Sequence, residues 1–222
     1  MSRDYDFVSF DCYGTLVDWE SGIAGSFASM AQQGGHEIPP REAILEAHAR
    51  HEPVVQAESF RSYRDVLTET AKRMGQEFGW KLPDATAAQL AESLPDWPVF
   101  PDTNPSLRRL REAGYQLGIL SNVDDDLLCR TIANLDVGFD TLVTAEQVRA
   151  YKPAPPHFEH AAQRIGSSRW LHVAQSWFHD IVPAKRHGVP SMWINRHRET
   201  PGDDGAPLAE FVDLIGLADR LA

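Results

Sequence analysis

Asp11, in Phe10-Asp11-Cys12-Tyr13-Gly14-Thr15-Leu16, carries the most telling chemistry of the chain. It follows a short β-rich run, Tyr5 to Phe10, so a single carboxylate stands at a strand end with a Gly-Thr turn behind it. An ionised carboxylate there is a nucleophile that needs no base to activate it. A second carboxylate two residues on would add a general acid and point to phosphoryl transfer, but position 13 is Tyr13. Three later clusters can complete a site: Ser121-Asn122, Lys152 in Tyr151-Lys152-Pro153, and Gln175-Ser176-Trp177-Phe178-His179-Asp180. Lys152 is the cation best suited to hold an anion, with Ser121, Asn122 and Thr15 as neutral donors. Asp180, one helical turn beyond Ser176, suits either orienting Lys152 or activating a water.

Strands must place these residues. Gln116–Leu120 runs into Ser121-Asn122, Trp170–Ala174 runs into Gln175-Ser176, and Thr141–Val143 and Pro190–Ile194 read as two more strands. Helical segments at Pro105–Ala113, Asp125–Asn134, Pro155–Ile165, a stretch ending at His187 and Leu208–Leu217 alternate with them. That alternation predicts βαβ units and a parallel sheet with helices on both faces. Ligands of such sheets bind beyond the carboxyl ends of the strands, where all four clusters fall. Residues from about 16 to 97 read as all-helical, through Ser21–Gly34, a helix from Pro40 to about Gln56, Phe60–Phe78 and Asp84–Leu94. Pro53 is expected to kink or end the second of these. The fold class is therefore α/β, a Rossmann-like parallel sheet core with an inserted helical cap domain. The expected boundaries are 1–15 and 98–222 for the core and 16–97 for the cap. Arg198–Pro207, rich in Gly, Pro and Asp, reads as a surface loop.

Composition sets outer limits. The chain has 222 residues and a formal charge of -11, from 21 Lys and Arg against 32 Asp and Glu. That excess argues against nucleic acid as a partner and requires a local basic group to draw in an anion. Two cysteines, Cys12 and Cys129, make neither a disulfide framework nor a metal knuckle. Residues 1–20 carry no secretory pattern and no apolar run is long enough for a membrane span, so a cytoplasmic protein without a membrane partner is expected.

Taken in order, Asp11-x-Tyr13-Gly14-Thr15, Ser121-Asn122, Tyr151-Lys152-Pro153 and Gln175-Ser176-x-x-His179-Asp180 resemble the four motifs of the haloacid dehalogenase superfamily. The resemblance covers essentially the whole chain. Tyr13, and Trp193-Ile194-Asn195-Arg196 near the last strand, are similar to the type II 2-haloacid dehalogenase branch, whereas the phosphatases carry an aspartate at position 13. The resemblance implies hydrolysis of short 2-haloacids (haloacetate, (S)-2-haloalkanoate) to 2-hydroxyacids through an ester on Asp11. It implies a small anionic haloacid as substrate and, by analogy, a homodimer. No metal ligand and no cofactor are assigned, because Tyr13 and Gln175 both stand where the phosphatases place acids around Mg²⁺. The competing readings are a Mg-dependent phosphatase of the superfamily and a binding protein that kept the fold without turnover.

The fourth motif departs from the branch, which commonly has Ser and Asn where this chain has Gln175 and Trp177. Gln175, Ser176 and Tyr13 are still assigned to substrate binding. His179 offers an acid-base partner for Asp180 or a donor to a departing halide. The family uses a cap arginine for halide or carboxylate; Arg50 is the candidate, and a solvated helix residue is the plainer reading. Strand alternation should turn Cys12 away from the Asp11 direction. His48, His51, His157, His160 and His172 show no metal-ligand spacing and read as surface or strand-packing residues. Trp177 and Phe178 read equally as core or as pocket lining.

Overall fold

The computed structural model describes residues 3–222. It contains a six-stranded, all-parallel sheet in the order β3-β2-β1-β4-β5-β6. The strands are β1 (Phe7–Phe10), β2 (Gln116–Ser121), β3 (Thr141–Thr144), β4 (Trp170–Ala174), β5 (Ser191–Ile194) and β6 (Ala209–Phe211). The order reverses at β1, between β2 and β4, and right-handed crossovers on the two sides of such a point put helices on opposite faces. The expected α/β, Rossmann-like core is therefore present.

Contacts divide the chain into two compact units. The first holds the chain up to Val17, Val99–Asn122 and Ala133–Ala222, and so contains the whole sheet. The second holds Asp18–Pro98 and Val123–Ile132. It is built from α1 (Trp19–Gln33), α2 (Arg41–Glu58), α3 (Tyr63–Glu77), the short α4 (Asp84–Ala87) and α5 (Gln89–Glu92) and, later in the chain, a helix at Asp125–Ile132. That last helix follows β2 in sequence yet groups with the helical unit. Just before it, the Asp124 carboxylate accepts the Tyr63 and Arg64 N–H groups at 2.8 and 2.9 Å, covering donors that the first turn of α3 cannot satisfy itself.

In the sheet unit the chain adds α6 (Thr103–Glu112), and, beyond α7 (the Asp125–Ile132 helix), α8 (Ala145–Val148), α9 (Pro156–Ile165), α10 (Val182–Arg186) and α11 (Leu214–Leu221). On one face Phe158, Ala161 and Ala184 from α9 and α10 pack with Phe7, Leu120, Val143 and Trp170 from the strands. α6 packs against α11, and the Tyr115 hydroxyl donates to the Leu221 carbonyl at 2.9 Å. Gly118 of β2 leaves room for Phe7: a Cβ there would stand 2.4 Å from the Phe7 ring.

Two expectations are narrowed or corrected. Of the two outcomes expected at Pro53, a kink or an end, the end does not occur: α2 continues to Glu58. The carbonyl that Pro53 leaves without a donor belongs to Ala49, on the exposed side of the helix, where water can satisfy it. The segment from Leu208 is not one helix. Ala209–Phe211 pairs with β5 as a sixth strand, and the helix starts only after Asp213, whose side chain accepts the Gly216 N–H.

Candidate active site

Asp11 leaves β1 at its carboxyl end, in a turn that requires Gly14 at φ 99°. Its Oδ2 accepts from the Thr15 hydroxyl at 3.1 Å, and Thr15 Oγ1 in turn accepts the Gln175 N–H at 2.9 Å. Thr15 thus ties the Asp11 turn to the end of β4. From behind, Arg196 donates to the Thr15 carbonyl at 2.7 Å while holding Asp102 through two contacts and covering the Phe100 ring.

Lys152 is the centre of the site. Its Nζ is buried and donates to Asp11 Oδ1 at 2.9 Å, Asp180 Oδ1 at 2.6 Å and the Leu120 carbonyl at 2.8 Å, which uses all three of its hydrogens. Its main chain is held as firmly: Asn122 accepts the Lys152 N–H at 2.6 Å and donates to the Lys152 carbonyl at 3.1 Å. Both ends of the Asn122 amide are thereby engaged with Lys152, so Asn122 positions the lysine. Ser121 is buried, and among the described residues its hydroxyl has no protein partner.

Asp180 sits in a single π-helical turn, Trp177–Ile181, capped by Ser176, whose hydroxyl accepts the His179 N–H and lies 3.1 Å from His179 Nδ1. Such turns are uncommon and recur at functional sites. Asp180 Oδ1 takes both Lys152 and, at 3.0 Å, His172 Nε2. Its Oδ2 is buried and has no donor among the described residues.

The electrostatics follow from one cation shared by two carboxylates. Burial disfavours the Lys152 ammonium, but Asp11 and Asp180 outweigh that and hold its pKa above the ordinary value. Burial likewise disfavours an Asp180 carboxylate, yet Lys152 and His172 win and hold it down at about 2. Asp11 comes out the other way. Burial raises it, Lys152 only partly opposes, and the neighbouring Asp180 charge adds to the rise. Burial also lowers His179, and brings His157, whose Nε2 donates to the Ser121 carbonyl, to about 3.

The structure thus gathers Asp11, Thr15, Lys152, Asp180, Ser121, Asn122, Gln175, Ser176 and His179 in one unit. Gln175 contributes its main chain, donating to Thr15 and accepting Trp193 Nε1–H at 2.7 Å. Tyr13 is half-buried and bridges to Val17. Arg50 belongs to the helical unit, where its half-exposed guanidinium is paired with Glu46 and Glu77. Trp177 packs: its ring meets Trp193 edge-on at 4.9 Å and lies under Gly202 and Gly205, where added Cβ atoms would stand 2.7 and 2.3 Å away. Phe178 is exposed. His172, expected as a surface or strand-packing residue, contacts Asp180 directly, with Ser9 and Trp170 behind it.

An aspartate at a parallel sheet's carboxyl edge, a lysine from a later crossover and a carboxylate after β4 fit a hydrolase of the haloacid dehalogenase type. The haloacid dehalogenase-like hydrolase family model matches residues 5–188, and the chain belongs to that family. It is 28% identical to (S)-2-haloacid dehalogenase H-109 of Pseudomonas putida, covering 96% of each chain. It is 29% identical to haloacetate dehalogenase H-2 of Moraxella sp. (strain B), covering 88% of each. Among solved structures, that of the L-2-haloacid dehalogenase RSc1362 superposes with a TM-score of 0.82 at 28% identity, over 98% of both chains.

Proposed function

We propose that this chain hydrolyses the carbon–halogen bond of short 2-haloacids, haloacetate or an (S)-2-haloalkanoate, giving the 2-hydroxyacid. The observation that carries the reading is the buried Asp11–Lys152–Asp180 cluster at the end of β1, with Tyr13 and Gln175 where a phosphoryl-transfer site would place further acids. An Asp11 carboxylate oxygen attacks the α-carbon in line, the halide leaves with the bonding pair, and the carbon inverts. Oδ2 is the better nucleophile of the two, because among the described residues its partner is a neutral hydroxyl while Oδ1 carries the ammonium. Water then adds to the ester carbonyl, the 2-hydroxyacid departs, and Asp11 is restored with one oxygen from water and release of one proton.

The unpartnered Ser121 hydroxyl is assigned to the substrate carboxylate, with Ser176, His179, Gln175 and Tyr13 around it. Asp180 at about 2 is a weak base at neutral pH, so its main task is to hold Lys152 in place. Arg50 is retained as the candidate cap arginine, on family analogy alone. We assign residues 16–97 the role of a cap that sets substrate range, and a cytoplasmic homodimer as the working form. Among the described residues no helix is long and apolar enough to cross a membrane.

Halide release from chloro- and bromoacetate and both 2-chloropropionate enantiomers, with and without EDTA, tests the reading. Turnover in ¹⁸O water should label the Asp11 peptide. Absence of label with every haloacid, or phosphate release from an aryl phosphate that EDTA abolishes, would refute it.

A further inference from the structure

We propose that His172 is a positioning residue of this site, fixing Asp180 Oδ1 on Lys152 in a tautomer set by the buried Trp170–Ser9 pair. In register, Ser9 of β1 lies beside His172 of β4, and Phe7 beside Trp170. Trp170 Nε1–H can only donate, and it donates to Ser9 Oγ at 2.7 Å. With the Trp170 donor on the Ser9 oxygen, the proposed arrangement points the Ser9 hydroxyl hydrogen at His172 Nδ1, 2.8 Å away. With Nδ1 accepting, Nε2 carries the hydrogen and donates to Asp180 Oδ1 at 3.0 Å. One continuous chain of donors therefore runs Trp170, Ser9, His172, Asp180, with Lys152 on the far side of the same Oδ1.

The surroundings show why packing alone does not account for it. Much of this face of the sheet is apolar, with Phe7, Leu120, Val143 and Phe158; Ser191 of β5 lies beside His172 in register, His187 stacks on Phe158, and His172 meets the Phe158 ring edge-on at 5.1 Å. Ser9 and His172 are both fully buried there. Polar groups in such a place cost free energy unless each is paired, and an aliphatic pair would fill the space without that requirement. The Ser9–His172 pairing is complete and ends on a carboxylate that itself ends on the lysine of the nucleophile. Two donors on one oxygen fix the plane of the Asp180 carboxylate, and with it the direction from which Lys152 meets Asp11. The groups facing Asp180 are Lys152 and His172 in contact, Asp11 across the ammonium, and His157 and His179 beyond.

The kinetic half of this inference rests on the dehalogenase reading; the tautomer half does not. Long-range ¹H–¹⁵N spectra of the full chain labelled at histidine nitrogen should show His172 with hydrogen on Nε2 and none on Nδ1. Hydrogen on Nδ1 would overturn the proposal whether or not the protein dehalogenates. With 2-chloropropionate, His172→Phe should lower kcat about 10- to 100-fold with KM nearly unchanged, since substrate does not touch His172. Its acid limb in kcat should move to higher pH as Asp180 loses a donor. His172→Gln, which keeps an amide donor near the Nε2 place, should recover most of the rate. Wild-type kcat in a folded His172→Phe, or a Gln variant no better than Phe, would sink the positioning role. A wild type without haloacid turnover would count against the parent function and leave the spectra to decide the network.

Discussion

Replacing Lys152 by Met should be the most damaging single change that keeps side-chain volume. The ammonium is buried and makes three hydrogen bonds, two of them to carboxylates at 2.9 and 2.6 Å. Met leaves Asp11 and Asp180 facing each other with no cation between them. Removing one partner of a buried ion pair costs about 3–5 kcal/mol, because the remaining charge stays desolvated. Part of that cost can be read from Asp180: a carboxyl held at about 2 instead of 3.8 contributes about 2 kcal/mol of stability at neutral pH. The sign is fixed by the depressed value. That contribution is present above the unfolded pKa and lost as pH falls towards the folded one. In the variant, burial and mutual repulsion push both carboxyls upward, so the pair takes up a proton as pH falls and the penalty shrinks. Urea unfolding of both proteins at about pH 7 and about pH 5 should give a gap of about 3–5 kcal/mol that narrows at the lower pH. A gap below about 1 kcal/mol, or one independent of pH, would refute the shared-cation description. The same variant should lose roughly 10³-fold in kcat, through loss of the charge that orients Asp11.

Asp11→Asn should remove turnover and ¹⁸O labelling while leaving the fold intact by circular dichroism; retained labelling elsewhere would move the nucleophile. In wild type the acid limb of kcat/KM should lie above the ordinary aspartate value of 3.8, because burial raises Asp11 and, on the proposed mechanism, only its ionised form would attack; a limb at or below that value would contradict the raised pKa. Gly118→Ala places a Cβ 2.4 Å from the Phe7 ring and 2.9 Å from the Thr141 carbonyl in a central strand, which should cost about 1–3 kcal/mol by thermal unfolding.

The residues legible in the sequence were those at strand ends. Asp11, Ser121-Asn122 and Gln175-Ser176 each close a short apolar run, and local pattern alone marks such places. Lys152 and Asp180 were legible through the order of the motifs. Ser9, His172 and Trp170 were not, because their meaning depends on β1 lying directly beside β4, and 159 residues separate the ends of those strands in the chain. The alternation was visible within each strand, since Ser9 shares a face with Asp11 and Trp170 with His172. What no local pattern supplies is the register that sets Ser9 opposite His172. Strand β6 escaped for a different reason. Three residues, Ala209–Phe211, carry too little alternation to compete with the helical spacing of the residues after them, and only pairing with β5 makes them a strand.

The fourth motif is held by ring packing as well as by polar contacts. Trp177 occupies a position where the dehalogenase branch commonly has a small amide. It turns onto Trp193 beneath Gly202 and Gly205, which anchors the π-helical turn by packing. Asp180, three residues on, lies in that turn and meets His172 at 3.0 Å. The charge of the cluster makes this arrangement consistent with two successive steps. In the resting site one ammonium serves two carboxylates, so the negative charge in excess falls on Asp11, whose pKa is the raised one. On the proposed mechanism an ester on Asp11 would remove that charge and leave Lys152 and Asp180 as a balanced pair. If Lys152 turned to that ester, Asp180 would need a second donor to keep its plane, and His172, 3.0 Å from the same oxygen, would supply it.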